Sequence, residues 1–153
     1  MIFRKASTKD LPSLAELRWD FHFEDHQPEP KVSKEVFINE FTEYLENSLN
    51  TGKWTVFIAE DNGFIISHIY IRKIDKVPKP GSIHREYGYV TNVYTKPAYR
   101  NQGIGNKLIQ RVRNFAGSEH FEFLIVWPSN RAINFYEKAG FKIHNEIMEF
   151  RFD

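Results

Sequence analysis

Apolar residues recur along this chain with two different periods, and the alternation between them divides it into strands and helices. Residues 2–6 are short and apolar enough for a first strand. Leu11, Leu14, Leu17 and Phe21 then repeat at helical spacing behind Thr8 or Asp10, either of which can cap a helix. A polar, proline-bearing loop is expected over residues 22–31. Ser33 is a good N-cap for a second helix carrying Val36, Phe37, Phe41, Tyr44 and Leu45. Residues 54–60 and 64–72 read as two strands joined by the tight turn Asp61-Asn62-Gly63. Pro78-Lys79-Pro80-Gly81 carries too many breakers for regular structure.

The second half repeats the strand–helix theme. Residues 87–95 are rich in β-branched and aromatic side chains, and Lys96-Pro97 stops that strand because proline cannot donate to a sheet ladder. Ile104, Leu108, Val112 and Phe115 return to helical spacing, and residues 121–126, apolar but for Glu122, read as a strand buried on both faces. Trp127-Pro128 ends it. A further helix runs to Ala139 with Gly140 as its C′ residue, and residues 141–152 are expected to supply two closing strands, the last alternating at Met148, Phe150 and Phe152. Only the strand–helix–strand unit around residue 100 demands a parallel pair, so the fold class is mixed α/β.

Chemistry concentrates at Tyr99-Arg100-Asn101-Gln102-Gly103-Ile104-Gly105-Asn106, between that strand and that helix. The first amides of a helix lack partners and its dipole favours negative charge, so a glycine-opened helix start after a basic turn is a natural anion site. Gly103 and Gly105 have no Cβ to hold a ligand away from the backbone. A dinucleotide fingerprint fits poorly, since Leu108 stands where its third glycine belongs, and no Gly-Lys-Ser/Thr run of a P-loop occurs.

A third pattern fits better. Residues 93–108 resemble the acyl-CoA signature of the GNAT N-acetyltransferase superfamily, whose core Arg/Gln-x-x-Gly-x-Gly/Ala is matched by Arg100, Gly103 and Gly105. Residues 129–141 resemble the same family's Asn/Ser-x-x-Ala-x-x-x-Tyr-Glu-x-x-Gly-Phe segment, in the right order and one apolar strand downstream. The resemblance implies a central mixed, mostly antiparallel sheet with one splayed parallel pair, flanked by about four helices. It implies acetyl-CoA as cosubstrate, its pyrophosphate against the amides of Gln102, Gly103, Ile104, Gly105 and Asn106, beside Arg100 and Asn101. Its pantetheine arm would lie along Val93, Tyr94 and Thr95. The resemblance makes Tyr136 the group that meets the departing thiolate, although packing with Phe135 in the core is the alternative for its ring. Ser129 stands where many relatives carry asparagine to bond the pantetheine, with Asn130 and Asn134 as substitutes; Ser129 is equally an obvious helix N-cap.

An amine nucleophile must lose a proton before it attacks, and Glu86 beside the motif strand is the best carboxylate for that task, with His84 second; either is also readable as an ordinary loop residue. The loop His22-Phe23-Glu24-Asp25-His26 occupies the place where the family forms much of its acceptor pocket, and its acidic, aromatic mixture suits a cationic amine. His22 and His26 stand four apart, but without a third ligand they read as a solvated loop, and no metal is expected.

Composition narrows the picture further. With 153 residues, one N-acetyltransferase domain over residues 1–153 is expected, and 14 phenylalanines allow a well-filled core. The net charge of +1 argues against nucleic acid as a partner. The local basic patch of Lys96, Arg100, Lys107, Arg111 and Arg113 faces phosphates or is a solvated helix surface. The absence of cysteine removes any acyl-cysteine intermediate. The N-terminus lacks an apolar leader and no apolar run approaches the ~18 residues of a membrane span, so a cytoplasmic protein with no membrane contact is expected. The reading is transfer of an acetyl group to a primary amine of a small molecule or peptide by direct attack in a ternary complex, in a possible homodimer. The alternatives are an acyl-CoA-binding regulatory module without turnover, and a nucleotide-binding protein using the same helix start.

Overall fold

The computed structural model describes residues 1–24, 29–81 and 86–152. Strand β1 (Ile2–Lys5) leads through a single 3-10 turn into helix α1 (Leu11–Glu24), followed by α2 (Lys34–Asn50). Strands β2 (Trp54–Asp61), β3 (Phe64–Asp75) and β4 (Glu86–Thr95) follow, then α3 (Ile104–Ser118), β5 (Leu124–Ile125) and α4 (Ile133–Lys138). The five strands lie side by side in chain order. Neighbours are antiparallel except β4 and β5, which pair in parallel through Gly88–Leu124 and Tyr89–Ile125. This is the mixed, mostly antiparallel sheet that the order of elements implied.

Each face of the sheet has its own apolar layer. On one, Leu11, Leu14 and Leu17 of α1 and Leu45 of α2 pack on Val56, Ile58, Tyr70 and Tyr94. On the other, Ile104, Leu108, Ile109 and Val112 of α3 pack on Phe57, Ile69, Ile71 and Val90, together with Tyr136. Strands β2 to β4 are covered twice, which is why they read as nearly continuous apolar runs. Arg4 locks β1 to the turn before α1. It donates to both carboxylate oxygens of Asp10 at 2.8 Å and to Glu60 at 2.7 Å. That guanidinium holds the Asp10 carboxyl down at about 2.

The irregular stretch of the sheet matters most. The β3–β4 register shifts between His68 and Tyr70, and Asn92 and Val93 have no partner in either ladder of β4. Asn92 sits at φ +48 there. Two buried β3 side chains take up the displaced carbonyls: Ser67 donates to Tyr94 O at 2.8 Å, and His68 Nδ1 to Asn92 O at 2.7 Å.

Three expectations need correction. Residues 22–24 continue α1 instead of opening a loop. The strand expected over 121–126 shrinks to two residues, because β4 pairs with it only at Gly88 and Tyr89 before the chains diverge. The two closing strands over 141–152 do not form among the described residues. Met148, Phe150 and Phe152 alternate as a strand should, yet are 98 %, 80 % and 89 % exposed. Alternation marks a strand only where a neighbouring edge accepts its hydrogen bonds, and here the apolar positions also change parity between Ile147 and Met148.

Candidate active site

The corner after β4 is built by conformation before side chains enter. Pro97–Tyr99 form one 3-10 turn, Asn101 takes φ +60, and Gly103 at φ +76 is the N-cap of α3. A side chain at residue 103 would meet open space, so the glycine is required by its backbone angle. Lys107 N–H is the first in α3 to reach a helical carbonyl, that of Gly103, at 3.1 Å. The amides from Gly103 to Asn106 precede it and stand at the positive end of a fifteen-residue helix.

Gly105 has a different reason. A Cβ there would lie 3.1 Å from the Phe135 ring, so the glycine admits α4 against the first turn of α3. Phe135 and Phe141 hold Tyr136 between them, their ring centroids 5.0 and 5.4 Å from its own. Sequence thus fixes two glycines, the second of which seats the helix that carries Tyr136 beside the first.

These parts open into one cleft of roughly 1010 Å³. Its walls include Val93, Tyr94, Thr95, Arg100, Asn101, Gly103, Ile104, Gly105, Asn106, Ser129 and Tyr136. Gln102, Asn130 and Asn134 lie outside it; Gln102 turns back to donate to Ala98 O at 3.0 Å. Ser129 begins the 3-10 turn before α4 without using its hydroxyl as a cap. Arg100 is engaged elsewhere: its Nε donates to Thr95 O at 2.9 Å and its other end pairs with Glu24 of α1. Lys107 and Arg111 lie over the Phe3 ring, away from the cleft.

Tyr136 is 6 % exposed, and burial pushes its phenol up to about 12. It remains protonated across the physiological range, so its hydroxyl keeps a proton to donate. Glu86 is not brought together with it. Glu86 stands at the far end of β4, pairs with Lys73 at 2.9 Å, and lines a separate cavity with Thr51, Lys53 and Phe121. The nine-residue step from Glu86 to Thr95 spans roughly 30 Å of strand. The other base candidate, His84, and the loop positions Asp25 and His26 lie outside the described residues.

Beyond the corner the cleft continues between α1, α2 and the sheet, where residues that the motif reading did not single out form its walls: Arg18, Phe21, Phe41, Trp54, Tyr70 and Asn92. A sequence signal for one of them exists. Arg18 follows Leu11 by seven and Leu14 by four and precedes Phe21 by three, so it is a charge set on the apolar stripe of α1. His68 and Asn92 likewise interrupt apolar strands. His68 is fully buried and its imidazole is held down at about 4, chiefly by desolvation. A carbonyl can only accept, so Nδ1 carries the proton and Nε2 is the unprotonated nitrogen.

Comparison with known proteins places the chain in a family. The model of the Acetyltransferase (GNAT) family matches residues 11–141. A glucosamine 6-phosphate N-acetyltransferase of Trypanosoma brucei brucei is 29 % identical over 93 residues, 61 % of each chain. A thialysine N-epsilon-acetyltransferase of Sus scrofa is 34 % identical over 55 residues, 34 % of this chain and 32 % of that one. The chain therefore aligns with under two thirds of either relative. Among solved structures, a predicted acetyltransferase from Clostridium acetobutylicum with acetyl-CoA superposes with a TM-score of 0.81 at 30 % identity, covering 98 % of this chain and 95 % of that one. The glucosamine-6-phosphate N-acetyltransferase of Arabidopsis thaliana shares the fold, with a TM-score of 0.75 at 20 % identity over 99 % and 98 % of the two chains. Among the described residues no helix is long and apolar enough to cross a membrane. The glycine-opened start of α3, the interrupted β4 and the tyrosine of α4 are joined by a family match that spans all three, and the chain belongs to the GNAT family of acetyltransferases.

Proposed function

We propose that this protein transfers an acetyl group from acetyl-CoA to a primary amine of a small molecule, by direct attack while both substrates occupy the cleft. The observation that carries the reading is the continuity of that cleft from the unpartnered amides of α3, past Tyr136, to a chamber under α1 and α2. The diphosphate of acetyl-CoA sits against the amides from Gly103 to Asn106, where main-chain dipoles meet two negative charges. The pantetheine follows the unpaired stretch of β4 at Asn92 and Val93, whose backbone groups accept a strand-like partner.

Attack of the amine on the thioester carbonyl forms a C–N bond, and collapse of the tetrahedral adduct breaks the C–S bond. Charge then appears on sulfur, and the Tyr136 hydroxyl donates a hydrogen bond to it. A phenol at about 12 facing a thiol near ~8.5 makes full proton transfer uphill by roughly 5 kcal/mol, so Tyr136 stabilises the thiolate before any proton moves. Solvent in the open cleft takes the proton lost by the amine, since Glu86 is paired with Lys73 and lines a different cavity.

The test is a pair of measurements. Calorimetry with acetyl-CoA should register binding, and a panel of small amines should release CoA in proportion to N-acetyl product. Binding without release from any amine would leave an acyl-CoA-binding regulatory module. Binding of ATP or NAD in preference to acetyl-CoA would leave a nucleotide site.

A further inference from the structure

At the end of the cleft away from the diphosphate corner, Arg18 of α1 stands half-buried with its guanidinium close to Phe21, 5.6 Å from the ring centroid. It makes no hydrogen bond or ion pair among the described residues. Desolvation lowers its pKa, opposed by Tyr70, and among the described residues no carboxylate acts on it. An arginine removed from water normally faces a carboxylate or phosphate, because its planar fork is otherwise left with donors unfilled. Tyr70 and Asn92 line the same chamber: Tyr70 is 5 % exposed, its phenol feels the Asn92 side chain and the Arg18 charge, and within hydrogen-bonding geometry neither its hydroxyl nor Asn92 Oδ1 is satisfied among the described residues. Three polar groups from three elements thus converge on a space that no described residue fills. Apolar and aromatic walls from Phe41 and Trp54 complete it. Glu24 of α1 pairs through one oxygen with Arg100, while its Oε2 is buried without a partner among the described residues and its charge acts on Tyr94.

From this convergence we infer that Arg18, with Tyr70, is the recognition site for an anionic group on the acceptor, so that the amine to be acetylated carries a carboxylate or phosphate elsewhere in the same molecule. The inference rests on the acetyl-transfer reading of the cleft. It explains why the chamber combines one uncompensated cation with aromatic walls: the charge selects and orients the distal end of the acceptor, leaving its amine pointed toward Tyr136 and the thioester. Discrimination arises because an acceptor lacking the anion leaves the guanidinium desolvated and unpaired.

Calorimetry with matched amines reads the inference directly, in the presence and in the absence of saturating CoA. The pairs are glucosamine 6-phosphate against glucosamine, O-phosphoethanolamine against ethanolamine, and γ-aminobutyrate against butylamine. At least one anionic member should bind tenfold or more tightly than its partner, and comparison of the phosphate and carboxylate pairs identifies which anion is used. Arg18→Gln should reduce that preference to under twofold while acetyl-CoA affinity stays within twofold of wild type. Should the glutamine variant fail to fold, Arg18→Lys keeps a charge but loses the fork, and a threefold or larger loss of preference is expected. Equal binding of all pairs, no binding of any anionic member, or a preference that survives Arg18→Gln overturns the inference. Failure of acetyl-CoA itself to bind would instead sink the transfer reading, and the anion preference would still be read on the CoA-free protein.

Discussion

The two ends of the cleft are made of different material. At the corner before α3, where we propose that the diphosphate binds, the groups on offer are main-chain amides from one helix turn, and Gly103 and Gly105 carry no side chain. At the acceptor end the groups are side chains, Arg18, Tyr70 and Asn92, delivered by α1, β3 and β4. A backbone-built site depends on conformation and tolerates exchange of most side chains around it. A side-chain-built site depends on three elements packing correctly, and any one residue can retune it. On the proposed function, the difference separates what must stay constant, the cosubstrate, from what is free to vary, the acceptor.

Acid should break the side-chain end first. His68 supports the β-bulge behind the acceptor chamber, flanked by Arg18 of α1, Tyr70 of its own strand and Tyr94 of β4. Its folded value of about 4 lies below the ~6.5 of an unfolded imidazole, so its contribution is fully present above pH 6.5 and is lost as pH falls through 4. Linkage gives roughly 2.5 kcal/mol lost by pH 4.5. Urea unfolding at pH 7 and 4.5 checks this: wild type should lose that much more than His68→Gln. Equal losses in the two proteins would show that the imidazole is not buried neutral.

A charge at the corner should act in the opposite sense on stability and binding. Asn106 is exposed in the first turn of α3, which has no acidic residue. In Asn106→Glu the carboxylate complements the helix dipole, so melting temperature holds or rises slightly. The same charge about 6 Å from a diphosphate is unfavourable by roughly 2 to 3 kcal/mol, so acetyl-CoA affinity should fall about a hundredfold. Unchanged affinity would place the diphosphate elsewhere.

The same division explains what the sequence discloses. A strand stop, two glycines and a helical repeat lie within about twenty consecutive residues, so the corner is readable as local grammar, whereas Tyr136 is singled out only by the resemblance of residues 129–141 to a family segment. The sheet from β1 to β4 is readable because covered strands are continuous apolar runs. The acceptor chamber is not, because Arg18, Tyr70 and Asn92 are brought together only by the fold; the charge on the apolar stripe of α1 is its one local trace. The place of Glu86 is hidden for the opposite reason. It is near the motif in sequence, but a strand carries it to the sheet's other end, against Lys73. The run after Phe141 misleads because alternation specifies a face without supplying an edge.

Between the two ends stands Tyr136, which belongs to neither type: one side chain, positioned by a glycine of the other helix. Tyr136→Phe removes the only donor proposed for the thiolate and leaves the packing with Phe135 and Phe141 intact. Turnover should fall tenfold or more, with acetyl-CoA affinity within twofold, as steady-state kinetics and calorimetry would resolve. Full activity in the variant removes the hydroxyl from the mechanism.

The smallest effect belongs to Gly105, and it decides which end of the comparison that glycine serves. If it is absent of side chain for the ligand, Gly105→Ala should weaken acetyl-CoA and leave α4 alone. The Cβ contact of 3.1 Å with Phe135 argues the reverse: the ring must give by a few tenths of an ångström, carrying Tyr136 with it. Overpacking of that kind is unfavourable by about 1 kcal/mol or more, while alanine gains nearly that much over glycine in helix propensity. Stability should therefore change by under ~1 kcal/mol. Turnover should fall about threefold through the displaced phenol, and acetyl-CoA affinity should stay within twofold. A tenfold loss of affinity with turnover otherwise preserved would show that even the backbone-built corner is read through the space a single methyl occupies.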